Sequence, residues 1–457
     1  MTPDTVGAAS RSADASAALL DAISRKRSGL ALADDQVGRL IADYVAQRVP
    51  DYQMAAFLAT VACQGMSVAE ASALTRAYVD SGDQLRLRDL GRTVLDKHST
   101  GGVGDNVSLV VVPVVAACGI AVVKMSGRGL GYAGGTVDKL ESIPGLRLDL
   151  GVAEAHRLVR EVGMVITGQS PELVPGDQAT YALRNVTATV ESIPLIAASI
   201  ISKKVAVGAH GLLLDVKTGA GALVPDLAAA QQLAELMVQL AGAFAIPCRA
   251  ALTDMSQPLG HAVGNALEVK EALGVLRGEH VPGLSELCRI LARMMLQLAD
   301  PELSDCRADD TVAEAIDGGA AHEQFLSWAR AQGADVRCLE QPELLPTAPY
   351  RTVVTAERSG WVAEVAPRAI GTAALRVGAG RLVHEAVLDP AAGVVLHRRV
   401  GDLVRAGEQL ADVHHSSDDA DDAVALARSA FTIRDERCAA SPVVIGVIAD
   451  ASECTGD

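Results

Sequence analysis

The sequence predicts an α/β fold joined to a helical domain, with a small α+β domain toward the C-terminal end. Three observations carry this. Of 457 residues 49% are apolar but only 3% aromatic, so Ala, Val, Leu and Gly fill the core, which suits helices and parallel strands. In the middle of the chain, β-branched runs, glycine turns and apolar helical segments follow one another in the order of βαβ units, which implies a mainly parallel sheet. Helical periodicity dominates before residue 80 and returns near 174–206, so the helical domain is discontinuous, interrupted by part of the α/β domain.

Taken in order, residues 1–16, "MTPDTVGAASRSADAS", lack a hydrophobic segment and read as a disordered tail, not a signal peptide. Over 17–80, "SAALLDAISRKRSG" carries a periodic apolar face and stops at Gly29. "LADDQVGRLIADYVAQRVP" starts at acidic residues and ends before Pro50, and "PDYQMAAFLATVACQG" and "SVAEASALTRAYVDSG" repeat the pattern. "RTVLD" (92–96) is a short strand that leads into a glycine loop. The run "VSLVVVPVVAACGIAVV" (107–123) approaches membrane length, but Pro113 and Gly119 interrupt it and loop motifs flank it. It reads as a buried helix followed by a buried strand. The helical domain then comprises 17–80 and 174–206, and the α/β domain 92–168 and 207–338. Crossings near 80–92 and 168–176, rich in Gly, Asp or Pro, are natural hinges. "LEQPELLPTAPYRT" (339–352) is a proline-rich linker into the α+β domain, 353–440, where alternating segments flank Gly turns; 441–457 is a tail. Within this domain "VGDLVRAGEQL" resembles half of a biotinyl or lipoyl carrier domain. No lysine follows Lys270, so a lysine-linked cofactor is excluded and a structural cap is the reading.

The formal charge of −16 argues against a nucleic-acid surface, yet a few local cations suffice for an anionic small molecule. Eight cysteines stand singly, without a CxxC or Cys/His ligand spacing. Free thiols in a reducing compartment, the cytoplasm, are expected, with no membrane span.

Three stretches bear chemistry. In "DKHSTGGVGD" (96–105), glycines let backbone amides approach a ligand, and Lys97, Ser99 and the amides around Gly101–Gly104 form either an anion cradle or simply a tight turn. Ser108 opens the following helix, near its positive dipole end. "KMSGRGLGYAGGTVDKLESIPG" (124–145) supplies a second glycine loop, with Ser126 and Thr136 at its ends. Both loops belong at the carboxyl edge of the sheet, where open α/β folds bind ligands. Arg128, Asp138, Lys139 and Glu141 tie the second loop together by ion pairs. In the third stretch Ser199 and Lys203, four residues apart, share a helix face, with Arg184 on the preceding segment. They hold a polar planar ligand or merely decorate an amphipathic helix. Lys204 points to solvent. Together the parts describe a cleft with an anion on the α/β side and a polar ring on the helical side.

"VLDKHSTGGVGD", "MSGRGLG…GGTVDKLESIPG", "YALRNVTATVESIPLIAASIISKK", "LDVKTGAGA" and "DMSQPLGHAVGNALEVKEAL" closely resemble thymidine and pyrimidine-nucleoside phosphorylases, in order and with consistent spacing. The resemblance implies a homodimer, formed through the helical domain, that cleaves a pyrimidine nucleoside with inorganic phosphate to free base and (deoxy)ribose 1-phosphate, without an organic cofactor. It puts Lys97, Ser99, Gly101, Ser108, Ser126 and Thr136 around phosphate. It puts His98, Arg184, Ser199 and Lys203 around the pyrimidine, with Tyr181, Ile196 and Leu130 walling the pocket. His98, Arg184 and Lys203 would be catalytic, and His98 could donate or supply a proton because an unperturbed imidazole titrates near neutrality, at about 6.5. A monovalent cation, K+, would sit at Gly104, Leu259, Ala262 and Glu271. Lys124 immediately before "MSGRG" resembles the broad pyrimidine enzymes, in which a lysine accommodates the ribose 2′-hydroxyl indirectly.

The chain departs from the family pattern at Tyr132-Ala133, where His-Thr is usual, and at Asn106, Asn185 and Leu223. These changes keep open a phosphorylase for an unusual nucleoside, or a sensing paralogue with little turnover. A phosphoribosyltransferase related to the anthranilate enzyme would require diphosphate and Mg²⁺, and only Asp138 and Glu141 offer an acidic pair.

Overall fold

The computed structural model describes residues 3–129, 131–170, 172–381, 386–417 and 419–449. The chain opens with α1 (Pro3–Arg27), α2 (Asp34–Val45), α3 (Asp51–Gln64) and α4 (Val68–Asp80). The α/β domain begins with β1 (Val94–Ser99), α5 (Val107–Ala117), β2 (Ala121–Met125), α6 (Thr136–Leu140), α7 (Val152–Val162) and β3 (Met164–Thr167). The chain then returns to the helical domain for α8 (Pro175–Val186) and α9 (Ile193–Val207). It resumes the sheet with β4 (Gly211–Thr218), α10 (Leu227–Ala243), β5 (Cys248–Asp254), β6 (Ala262–Val263) and α11 (Asn265–Leu276). Next come α12 (Leu284–Ala299), α13 (Asp305–Asp317), α14 (Ala320–Ala331) and the short α15 (Arg337–Glu340). The C-terminal part contains β7 (Tyr350–Thr355), β8 (Gly360–Val365), α16 (Pro367–Arg376), β9 (Gly393–Leu396), β10 (Leu403–Val404), β11 (Gln409–His415), α17 (Asp421–Ser429), β12 (Phe431–Arg434) and β13 (Val444–Ala449).

The main sheet runs β13-β5-β4-β1-β2-β3. Its first five strands in chain order are all parallel, as the βαβ pattern requires. Every residue of β2, β3 and β4 is buried, which explains their near-continuous apolar runs. The 107–123 run is indeed a helix and then a strand, not a membrane span. In α5 all residues from Val107 to Ala116 are buried, enclosed by α11, α12 and α14. No helix among the described residues is long and apolar enough to cross a membrane. The α+β domain holds two small antiparallel sheets, β10-β8-β12 and β6-β9-β11-β7. Strand β6 comes from the α/β portion of the chain and joins the second sheet through β9, so the two domains share a ladder.

The termini differ from the sequence expectation. The segment read as a disordered tail up to residue 16 is helical from Pro3. Ala15 is buried in the helical-domain core, and the Ser12 hydroxyl donates to the Arg48 carbonyl at 2.9 Å, so tertiary contacts extend the helix past its amphipathic part. The tail expected over 441–457 contains β13, which pairs antiparallel with β5 because the β-branched run "VVIGVIA" can cover an otherwise open sheet edge. The linker expected over 339–352 is likewise partly structured: α15 reaches Glu340 and β7 starts at Tyr350. At the crossings, the Asp83 amide donates to the Glu172 carbonyl at 2.8 Å. A Cβ on Gly82 would lie 2.4 Å from that oxygen, so glycine permits the close approach.

Candidate active site

Alternation along β1 sends Asp96 and His98 to one face of the sheet and Lys97 and Ser99 to the other. On the second face a buried polar network forms. Lys97 Nζ lies 3.0 Å from Asp215 Oδ2 and 3.4 Å from Ser108 Oγ, and Lys217 Nζ lies 2.9 Å from the same Asp215 oxygen. Thr253 donates to Asp215 Oδ1 at 2.7 Å. The Ser99 hydroxyl donates to Asp105 at 2.5 Å and accepts from the Gly101 amide at 3.1 Å. Burial opposes ionisation of Asp105, but the charges of Lys217, Lys97 and Lys139 outweigh it and hold the carboxyl below its ordinary range. Lys97 itself is fully enclosed and already paired, so it offers long-range charge beneath the loop rather than a free donor.

Gly101 and Gly104 take positive φ, 86° and 74°, in a turn sewn to the exit of β4. Gly102 bridges Ala222, and Thr100 Oγ1 accepts from the Lys217 amide at 2.8 Å. The second glycine loop folds back on itself: a Cβ on Gly135 would fall 2.2 Å from the Gly129 amide. Asp138 closes it by accepting from the Gly129 and Gly135 amides. Arg128 and Glu141 form the expected two-pronged ion pair, whereas Lys139 reaches out of the loop to Glu268 at 2.6 Å and to the Asp105 carbonyl at 2.7 Å. That contact joins the two loops. Ser126 follows β2 with its hydroxyl buried and without a hydrogen-bond partner, and Thr136 is the first residue of α6. Leu130 lies outside the described residues.

His98, partly buried, occupies the other face. Burial first, then the charges of Lys204, Lys124, Lys97 and Lys203, push its imidazole well below the ordinary value of 6.5. Against the expectation of a ring poised near neutrality, these surroundings favour the neutral imidazole over the imidazolium. Lys204 also corrects the sequence reading. It is buried, 2.9 Å from Asp96 Oδ1, because α9 turns this residue inward against β1. Lys124 is buried too, its side-chain nitrogen donating to the Met125 carbonyl at 3.0 Å. Burial and Lys204 together favour its neutral form.

Helices α8 and α9 gather Arg184, Ser199 and Lys203. The buried Arg184 guanidinium donates to the carbonyls of Thr189 (3.2 Å), Val190 (2.7 Å) and Leu195 (3.1 Å), which leaves two of its five N–H groups. Lys203 donates to Asp177, to the Ser199 carbonyl at 2.8 Å and to Ser199 Oγ at 2.9 Å. The exposed Tyr181 ring lies 5.7 Å from the Arg184 guanidinium. Ile196 is buried among the residues that pack α9 on α10.

Near the first loop, Gly104 stands against Leu259 and Ala262: a Cβ there would lie 3.2 Å from the Ala262 carbonyl. Glu271 accepts from the amides of His261 and Ala262 and from Asn106, and burial pushes its carboxyl up to about 7. A buried carboxylate among backbone carbonyls is a donor set of the kind a hard cation takes.

Sequence reasoning missed Thr100, Asp105, Asp215, Lys217 and Asp177. The available signal was "LLLDVKT", in which two charges stand two residues apart in a run otherwise fit for burial, so both face one side and must find partners.

A helical bundle joined to a mainly parallel sheet, with two glycine loops following strands β1 and β2, defines the class. Residues 20–82 match the helical bundle domain of the glycosyl transferase family and 91–322 its a/b domain. A crystal structure of anthranilate phosphoribosyltransferase from Thermus thermophilus shares the fold, with a TM-score of 0.57 at 18% identity over 68% of this chain and 99% of that one. Residues 361–434 match the pyrimidine nucleoside phosphorylase C-terminal domain, and the chain belongs to the pyrimidine-nucleoside phosphorylase family. It is 44% identical to the Staphylococcus aureus (strain bovine RF122 / ET3-1) pyrimidine-nucleoside phosphorylase over 427 residues, covering 93% of this chain and 98% of that protein. Against the Geobacillus stearothermophilus enzyme it is 44% identical over 404 residues, covering 88% and 93%.

Proposed function

We propose that this enzyme catalyses the reversible phosphorolysis of uridine, deoxyuridine and thymidine. What supports the reading is that α8 and α9 carry clustered cationic donors, that α9 packs against β1 through the Lys204–Asp96 pair, and that β1 carries His98 and leads into the first of two amide- and hydroxyl-rich loops. Breaking the C1′–N1 bond leaves negative charge on the base and positive charge on the sugar. The two uncommitted Arg184 N–H groups, the Lys203 ammonium, the Ser199 hydroxyl and the neutral His98 N–H stabilise the departing base. A single aligned donor of this kind is worth about 2.7–4 kcal/mol in comparable oxyanion sites. Ser126 and Ser108 hydroxyls, Ser99, Thr136 and the Gly101 amide hold phosphate, with Lys97 supplying charge from below. Phosphate attacks C1′ while it offsets the oxocarbenium charge. Closure at the crossings brings nucleophile and nucleoside together and excludes water.

Tyr181, Ile196 and Leu130 wall the base, and Lys124 admits the 2′-hydroxyl indirectly, through the Met125 backbone it holds. A K+ ion at Gly104, Leu259, Ala262 and Glu271 would brace the first loop by neutralising Glu271. The working form is a cytoplasmic homodimer joined through the helical domain. The test is product analysis with uridine, deoxyuridine and thymidine, with and without phosphate. Phosphate-dependent base release from all three is expected; release from none refutes the reading. For Lys124, the Lys124→Met variant should lose uridine cleavage relative to thymidine, and an unchanged ratio excludes the assignment.

A further inference from the structure

The chemistry assigned above to Lys203 raises a question of supply. An ammonium has three donors, and here all three are taken, by Asp177 Oδ2, Ser199 O and Ser199 Oγ. The Ser199 hydroxyl can rotate away and let a nucleoside carbonyl take its place. Asp177 cannot yield in this way. It sits in the first turn of α8, only 1% exposed, and its Oδ1 is buried without a hydrogen-bond partner. A buried carboxylate in that state depends on its one ion pair, and so does the ammonium it faces. Asp177 also lies on the helix that carries Arg184, so one element fixes both cations of the base subsite.

We propose that Asp177 is a positioning residue for phosphorolysis: it anchors the Lys203 ammonium so that its exchangeable donor points at the pyrimidine and strengthens as the base takes up negative charge. The inference rests on the reading of Lys203 as a base contact. It predicts a particular signature. Removing the anchor should matter most when the leaving base needs most help, whereas general damage to α8 slows every nucleoside alike.

The experiment measures single-turnover phosphorolysis of uridine and of 5-fluorouridine, whose base is the more stable anion, by the parent enzyme and by the Asp177→Asn, Lys203→Met and double variants. Asp177→Glu serves as the charge-retaining control, and melting curves verify folding. The expected result for Asp177→Asn is a loss on the order of 10²-fold on uridine, the scale set by misplacing one catalytic group. The loss on 5-fluorouridine should be clearly smaller, with an unchanged KM for phosphate and no additional loss on the Lys203→Met background. Asp177→Glu should recover much of the rate; because it keeps the charge, it also tests the idea if the Asn variant fails to fold. Equal losses on the two nucleosides in the Asn variant, an additive loss in the double variant, or a slowed Glu variant whose loss is the same on both nucleosides overturns the proposal. If the parent enzyme released no base with phosphate, the reaction itself would be refuted, and the anchor with it.

Discussion

At the scale of single residues, charge placement decides the chemistry. Burial, and then the charges of the lysines around it, disfavour protonation of His98. The sign of its linkage follows: the unfolded chain takes up the extra proton as pH falls through about 6.5, so this contribution to stability is complete above that value and is lost below it. An NMR titration of the His98 ring should show no protonation near 6.5 in the folded enzyme, and kcat/KM should carry no inflection there from this group. A ring that titrates near 6.5 would contradict the electrostatic account. Lys204 and Asp96, with side chains only 3% and 1% exposed, form a pair that neither partner can leave cheaply. Replacing Lys204 by Met strands the carboxylate, and urea unfolding should register a loss of about 3–5 kcal/mol. A loss below 1 kcal/mol would show that Asp96 is neutral without its partner.

At the scale of elements, the second glycine loop is fastened to the C-terminal domain through Tyr132. Tyr132 packs on that domain's core, with Arg368 5.3 Å above its ring. Its hydroxyl donates to the Ala222 carbonyl at 3.4 Å. Gly371 leaves its backbone room where a Cβ would approach the Tyr132 carbonyl to 2.4 Å. Arg368 in turn donates to the Ala220 carbonyl at 2.8 Å, and the Gly131 amide donates to the Arg381 carbonyl. The loop, the exit of β4 and α16 thus form one unit. Converting Tyr132-Ala133 to His-Thr should loosen this docking and raise kcat/KM for thymidine; an unchanged value would dispose of the idea that the pair tunes ordinary nucleosides. The same logic of paired elements applies to α9. One helix turns Lys203 toward Asp177 on α8 and Lys204 toward Asp96 on β1, the strand that carries His98.

At the scale of the whole molecule, the domains are joined by shared ladders as well as by covalent crossings. Strand β6 belongs to the C-terminal sheet, while β13 returns from the far end of the chain to close the main sheet beside β5. Truncation before Val444 should expose the β5 edge, lower Tm and promote concentration-dependent association. A truncated chain that melts and sediments like the full one would show that β13 contributes nothing. The crossings are bridged where the Asp83 amide meets the Glu172 carbonyl, and the helical and α/β parts also share a core in which α4 and α9 pack on α10.

The class of fold, the discontinuous helical domain, the two glycine loops and the family were legible along the chain, because periodicity, β-branched runs and motif spacing are local or nearly local signals. "VSLVVVPVVAACGIAVV" is an example: Pro113 and Gly119 already divide it into helix and strand. The pairing of the charges, by contrast, depends on contacts between distant segments. Lys204 is adjacent to Lys203 in sequence and differs from it by a rotation about α9, which became decisive once Asp96 was found across the interface. Lys97, legible as a phosphate contact, proved to be committed to Asp215, more than a hundred residues away. The ends of the chain were settled the same way, since a helix extended by Ala15 and an edge strand formed by "VVIGVIA" depend on partners that no local pattern contains. Local patterns specify which conformations a segment can adopt; pairing of buried charges and closure of sheet edges depend on what the rest of the chain brings alongside.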